Sequence, residues 1–155
     1  MGSGKGWVQT KKAVREGGVV MVAKIEHIGI VVKDLEKSMR PYQQLLGLKL
    51  KETEQLDVQG ALTRVAFFPI GEVNVELVHT TAQTGLAAEF LKEHGEGIHH
   101  IAFEVEDLGK TFQDLRSQGI KFVWDKIITG SRGSKVAFFK SEEFNGVYIE
   151  LVQKH

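Results

Sequence analysis

The stretch His27-Ile-Gly-Ile-Val-Val-Lys-Asp-Leu-Glu-Lys37 returns later in the chain as His100-Ile-Ala-Phe-Glu-Val-Glu-Asp-Leu-Gly-Lys110. Two shorter repeats follow in the same order: Val65-Ala-Phe-Phe68 returns as Val136-Ala-Phe-Phe139, and Val75-Glu-Leu-Val78 returns as Ile149-Glu-Leu-Val152. Repeats that recur in order indicate a duplicated structural unit. We therefore interpret the chain as two copies of one module, covering about residues 24–80 and 97–153.

Each module is predicted to form a strand, a helix and then three strands. Short segments rich in β-branched and aromatic residues favour strands over helices at this length. The predicted strands are Lys24–Val32, Leu48–Glu54, Ala61–Pro69 and Val73–Thr80 in the first module, and Ile98–Val105, Lys121–Asp125, Lys135–Lys140 and Val147–Gln153 in the second. The fold class is therefore α+β, with two tandem βαβββ modules joined by a linking helix within Ala82–His94.

The two module helices have clear start and stop signals. Asp34 and Asp107 are N-cap candidates, and Gly47 and Gly119 are suited to the left-handed conformation that ends a helix. Pro41 lies inside the first helix, where it is expected to kink the helix or delay its start to about Lys37.

Composition excludes several classes of function. The 155 residues include 20 basic and 20 acidic side chains and no cysteine, so disulfides and thiolate chemistry are excluded. We expect no nucleic-acid partner and no membrane association, because the chain has neither a basic run nor an apolar stretch of about 20 residues. A cytoplasmic location is expected.

Residues 1–20 are predicted to be a disordered or non-native leader, with a natural start at Met21. The remaining residues, 21–155, are predicted to form a single domain.

Strand alternation places four polar residues on one side of the sheet. On the first strand of each module, the apolar residues face the helix, and His27 and His100 lie on the other face. Glu76 and Glu150, on the last strand of each module, also lie on the face turned away from the helices. If the modules pair around a pseudo-twofold axis, these equivalent residues converge. The alternative is that the duplication preserved these two histidines and two glutamates for packing alone.

Two imidazoles and two carboxylates without thiolates suit one divalent cation such as Zn, Co, Mn, Ni or Fe. Such an ion acts as a Lewis acid and stabilises an enolate formed next to a carbonyl. Neighbouring His99 is expected to point away from His100. No role is assigned to the remaining histidines, which are His79, His94 and His155.

The segments Glu26-His-Ile-Gly-Ile-Val-Val, Gly95-Glu-Gly-Ile-His-His100-Ile-Ala-Phe and Gly146-Val-Tyr-Ile-Glu150-Leu resemble the methylmalonyl-CoA epimerases of the vicinal-oxygen-chelate superfamily, also called the glyoxalase/bleomycin resistance/dioxygenase superfamily. The resemblance covers residues 24–153. It implies an open, cup-shaped mixed sheet with helices on its outer face and the four residues above as metal ligands. It also implies a small-molecule substrate such as an acyl-CoA, proton transfer by Glu150, and a homodimer.

The chain departs from that family in two places. It has no carboxylate in Leu62-Thr-Arg-Val65, where a second acid/base glutamate is expected, and Lys140-Ser-Glu142 replaces a His-Pro-Lys turn. The loop that contains Ser131 and Arg132 is either a substrate loop, with Arg132 for an anionic group, or an ordinary exposed hairpin loop. Three alternative functions share the scaffold: a glyoxalase I-like lyase, an Fe-dependent extradiol dioxygenase, and a drug-binding protein without catalysis.

Overall fold

A computed structural model describes residues 22–140 and 142–155 of the chain. The predicted leader, residues 1–20, and the proposed start at Met21 lie outside the described residues. The elements in chain order are β1 (Val22–Val31), α1 (Leu35–Gln44), β2 (Glu52–Val58), β3 (Ala61–Ile70), β4 (Val73–Thr80), α2 (Leu86–His94), β5 (Gly97–Val105), α3 (Leu108–Ser117), β6 (Ile128–Thr129), β7 (Lys135–Lys140) and β8 (Tyr148–Gln153).

All eight strands form one mixed sheet in the order β2-β3-β4-β1-β5-β8-β7-β6. Strands β1 and β4 are parallel, as are β5 and β8, and the two halves meet where β1 runs antiparallel to β5. The order of the second half is the mirror of the first, as a pseudo-twofold axis between β1 and β5 requires. The predicted α+β fold of two βαβββ modules is confirmed.

The helix starts agree with the sequence signals. The Asp34 and Asp107 side chains each accept a hydrogen bond, 2.9 Å long, from the backbone N–H three residues later. Gly119 follows the α3 C-cap with a φ of +90°. The expectation that Pro41 delays the start of α1 is wrong, because α1 begins at Leu35 and contains Pro41.

Two predicted strands are misplaced. Within Leu48–Glu54, Leu48 and Leu50 pack against the cluster under α1, and β2 begins only at Glu52. Within Lys121–Asp125, a single bridge joins Phe122 to Phe139, and the second strand of that module is β6. In both modules this apolar segment leaves the sheet to pack against the module helix, so alternation alone did not distinguish it from a strand.

The module helices cover equivalent clusters on one side of the sheet. Leu35 of α1 packs with Ala66, Phe68 and Leu77, and α3 packs on the matching residues of the second half. The linking helix α2 differs, because its apolar residues pack on the opposite face of the sheet, against a cluster that includes Val31 and Phe67. No helix in the described residues is long and apolar enough to cross a membrane.

Candidate functional site

The four predicted ligands come from the four central strands of the sheet. His27 lies on β1, Glu76 on β4, His100 on β5 and Glu150 on β8, and all four are buried. Neighbouring strands β4-β1-β5-β8 bring these residues together across the pseudo-twofold axis. Side chains that are far apart in sequence therefore form one cluster.

The clustered atoms lie within hydrogen-bond distance of each other. His27 Nε2 is 3.0 Å from His100 Nε2, and Glu150 Oε2 is 3.2 Å from the first and 3.1 Å from the second. The ligand atoms of these three residues all lie within 4.8 Å of one another. Glu76 lies at the edge of the cluster, with Oε2 3.5 Å from His27 Nε2.

The electrostatics of the cluster fit a divalent cation. Burial raises the pKa of Glu76. Burial would also raise the pKa of Glu150, but the adjacent imidazoles of His27 and His100 hold it at about 2. Burial opposes the charged form of His27, yet Glu76 and Glu150 raise its pKa well above the ordinary value. The carboxylates thus draw positive charge into a buried space whose donors are those that Zn, Co, Mn, Ni and Fe prefer.

A further carboxylate supports His27 from behind. The buried Glu26 carboxylate accepts a hydrogen bond from His27 Nδ1. Its other oxygen, Oε1, lies 2.7 Å from Arg132 Nη2 and 3.3 Å from both Lys154 Nζ and Asn74 Nδ2. Burial alone would raise the pKa of Glu26, but His27 and Arg132 together hold it well below its usual range.

Sequence reasoning missed Glu26 because of a β-bulge. Ile25 pairs with Phe103 and His27 pairs with Ala102, so Glu26 is an extra residue in β1. A bulge re-aims a side chain, so the rule that neighbouring strand residues point to opposite faces does not hold at Glu26. The one available signal was that polar residues precede the paired histidines in both copies of the repeat.

The prediction that His99 points away from His100 is wrong for the same reason. Gly29 pairs with His100 and Ile30 pairs with Ile98, so His99 is the extra residue in β5. Its Nδ1 lies 2.8 Å from His100 Nδ1. Burial, and then the neighbouring His100, lower the pKa of His99 to about 3. His99 is thus a neutral partner for His100, at the position equivalent to Glu26.

The loop that contains Ser131 and Arg132 reaches both sides of the cluster. Ser131 lines a cavity in front of the cluster, whereas the Arg132 guanidinium lies behind His27. The guanidinium already contacts Glu26 and stacks 4.3 Å above the centre of the Phe67 ring. A role for Arg132 in binding a substrate anion stays a prediction.

The cavity combines apolar walls with the polar cluster. Its walls include Val58, Val78 and Phe138, and the first turn of α2 also lines it. Glu76, His100 and Glu150 also line it, and Glu76 and Glu150 are the lining carboxylates among the described residues. Thr63, from the stretch that has no carboxylate, contributes a hydroxyl that donates to the Ala61 carbonyl at 3.0 Å. The cavity is therefore an apolar pocket whose ionisable groups are concentrated at the cluster.

Comparison with known proteins gives consistent matches. The family model described as the glyoxalase/bleomycin resistance protein/dioxygenase superfamily matches residues 26–138. The mitochondrial methylmalonyl-CoA epimerase of Homo sapiens is 31% identical over 138 residues, which is 88% of this chain and 77% of that protein. The ethylmalonyl-CoA/methylmalonyl-CoA epimerase of Cereibacter sphaeroides is 31% identical over 86% of this chain and 99% of that protein.

A solved structure shares the fold over nearly its full length. A variant of the Streptomyces coelicolor methylmalonyl-CoA epimerase, in complex with 2-nitronate-propionyl-CoA, superposes with a TM-score of 0.79 at 31% identity. The match covers 86% of this chain and 96% of that structure. The resemblance inferred from the sequence is confirmed by these matches.

Proposed function

The chain belongs to the glyoxalase/bleomycin resistance protein/dioxygenase superfamily, and from its epimerase relatives we propose that it is a metal-dependent epimerase of methylmalonyl-CoA or a closely related acyl-CoA. The observation that carries the proposal is the buried cluster of His27, His100 and Glu150 beside an apolar cavity. The epimerase relatives support this isomerase over a lyase, a dioxygenase or a drug-binding protein.

We propose that His27, Glu76, His100 and Glu150 hold one divalent cation, with Zn, Co, Mn or Ni as candidates, or Fe if the chain were a dioxygenase. When bound, the cation supplies positive charge that stabilises an enolate developing next to a carbonyl. The burial of all four side chains supports this assignment, because buried ionic groups need compensating partners.

Glu150 is proposed as an acid/base. Its carboxylate borders the cavity, and an ionised carboxylate can accept a proton from the α-carbon. Inversion of the centre then requires a second group that delivers a proton to the opposite face of that carbon. Ser131, at the cavity wall, is proposed to contact the substrate, and Arg132, in the same loop, is proposed to bind an anionic group of it.

The proposal extends to the cellular setting. A cytoplasmic location is proposed, in keeping with the absence of cysteine, and a homodimer is proposed by analogy with the family. The acyl-CoA substrate is supported by the complexes of relatives with such ligands.

The function is tested by solvent exchange. Metal-loaded protein is incubated with one epimer of methylmalonyl-CoA in D₂O without oxygen, and deuterium at the α-carbon is followed by mass spectrometry. We expect exchange together with formation of the other epimer. Absence of exchange with metal bound would remove this substrate. Oxygen consumption with Fe²⁺ would favour a dioxygenase, and turnover of a glutathione adduct would favour a glyoxalase I-like lyase.

A further inference from the structure

We infer that Glu26 is a positioning residue for His27, and that Arg132 holds Glu26 in place from the opposite module. The inference rests on the proposed metal site and concerns how that site is prepared for its cation. Glu26 is 1% exposed and has a described partner for each carboxylate oxygen.

The contact between Glu26 and His27 selects one tautomer of the imidazole. A neutral imidazole carries its proton on one nitrogen and a lone pair on the other. In the neutral ring that binds a cation, the Glu26 carboxylate accepts from Nδ1–H, so the lone pair lies on Nε2. Nε2 is the atom that faces His100 and Glu150. A carboxylate behind a ligating histidine also fixes the orientation of the ring and raises its basicity.

The network around Glu26 is too complete for an incidental contact. A buried carboxylate without partners is strongly unfavourable. Here Arg132 Nη2 lies 2.7 Å from Oε1, and Lys154 Nζ and Asn74 Nδ2 are each 3.3 Å from the same atom. Asn74 is also the residue that pairs with His27 across β1 and β4. Asn74 lies on β4, which also supplies Glu76, so the strand of one proposed ligand contacts the carboxylate that supports another, His27.

Arg132 also links this network to the first module through two further contacts. Its backbone N–H donates to Glu54 Oε2 at 2.9 Å on β2, and its guanidinium lies 4.3 Å above the centre of the Phe67 ring on β3. The residue adopts a φ of +56°, an unfavourable conformation for a side chain other than glycine. These contacts fix the guanidinium at Glu26, so the loop of the second module stabilises a ligand of the first.

The inference is tested by metal affinity, without substrate. We expect Glu26→Gln to raise the dissociation constant for Zn²⁺ by about 10- to 100-fold. The constant is measured by competition with a chelator. Arg132→Lys should also raise this dissociation constant, but by a smaller factor, because it leaves the buried Glu26 carboxylate unchanged. Glu36 and Arg64 form a matched control, because their carboxylate and guanidinium are also 2.7 Å apart but exposed. Glu36→Gln and Arg64→Lys should leave the affinity unchanged.

A second readout separates positioning from a general loss of structure. We expect ¹⁵N chemical shifts of the His27 ring to show a proton on Nδ1 in the wild-type protein with and without Zn²⁺, and a mixture of tautomers in Zn²⁺-free Glu26→Gln at a pH where the ring is neutral. An unprotonated Nδ1 in the wild type, or wild-type affinity in both variants, would overturn the inference. A wild-type chain that binds no divalent cation would overturn it together with the metal site. Failure to epimerise methylmalonyl-CoA would remove only the proposed substrate.

Discussion

Gly29→Ala should damage the proposed metal site although Gly29 is not one of its proposed ligands. Gly29 lies on β1 directly opposite His100 on β5. A Cβ at this position would lie 2.1 Å from Cε1 and 2.4 Å from Nε2 of the His100 ring, whereas ordinary contacts begin at 3.4 Å. Gly29 does not have a positive φ, so the backbone itself accepts alanine. The His100 ring must therefore retreat by more than an ångström, or the two strands must separate.

The size of the effect follows from the tolerance of metal coordination. Metal–ligand distances hold within about 0.2 Å. A His100 ring displaced by more than an ångström therefore no longer coordinates the ion. We expect the Zn²⁺ dissociation constant to rise by about 100-fold or more, at the upper end of the losses seen when ligand support is removed. Overpacking should also lower the free energy of unfolding by about 1–3 kcal/mol.

Gly109→Ala is the matched control. Its Cβ would meet Asp107 Oδ1 at 3.5 Å, an ordinary contact on the first turn of α3. Metal affinity should not change, and stability should hold or rise slightly. A folded Gly29→Ala protein that binds Zn²⁺ like the wild type would refute the placement of His100 in the metal site.

Three other predictions test separate parts of the site. At saturating metal, Glu150→Gln should slow deuterium exchange at the substrate α-carbon by about 100- to 10,000-fold; an unchanged rate, followed by mass spectrometry, would remove Glu150 as the acid/base. His99→Asn keeps an acceptor near His100 Nδ1, 2.8 Å away in the wild type, whereas His99→Phe does not. Chelator titration should therefore find Zn²⁺ affinity retained in the first variant and about tenfold weaker in the second, and equal affinities would show that His99 does not orient His100. Removal of the cation by EDTA should lower the melting temperature, since a ligand at 100 times its dissociation constant stabilises the fold by about 2.7 kcal/mol; a melting temperature insensitive to EDTA would contradict a cation held by the folded chain.

The sequence predicted the cluster because duplication and strand alternation act together. Alternation gives the face of each residue, and the repeat shows which residues are equivalent. The structure brings His27, His100 and Glu150 together as these two rules require, with Glu76 at the edge. No property of a single segment contains this information, since the four residues lie on four different strands.

The supporting residues were not predictable by the same rules. The bulges at Glu26 and His99 reverse alternation locally, and they depend on the hydrogen-bond register between β1 and β5. The contact of Arg132 with Glu26 joins residues from different modules, 106 positions apart. Register and loop docking are set by tertiary packing, so neither is visible in local sequence patterns.

Gly29 shows how the two modules diverged around the same site. Its counterpart in the repeat is Ala102, which pairs with His27. One histidine therefore accepts a methyl group opposite it, while the His100 ring occupies the space that a methyl group would need. The repeat alone did not indicate this difference, because glycine and alanine are both compatible with a strand.

The most direct test of the account is anomalous X-ray diffraction from crystals of the protein loaded with Zn²⁺. One ion per chain is predicted, with Nε2 of both His27 and His100 at about 2.0–2.1 Å and the Glu150 carboxylate among its ligands. An ion bound elsewhere, or no ion at this cluster despite saturating Zn²⁺, would contradict the central claim.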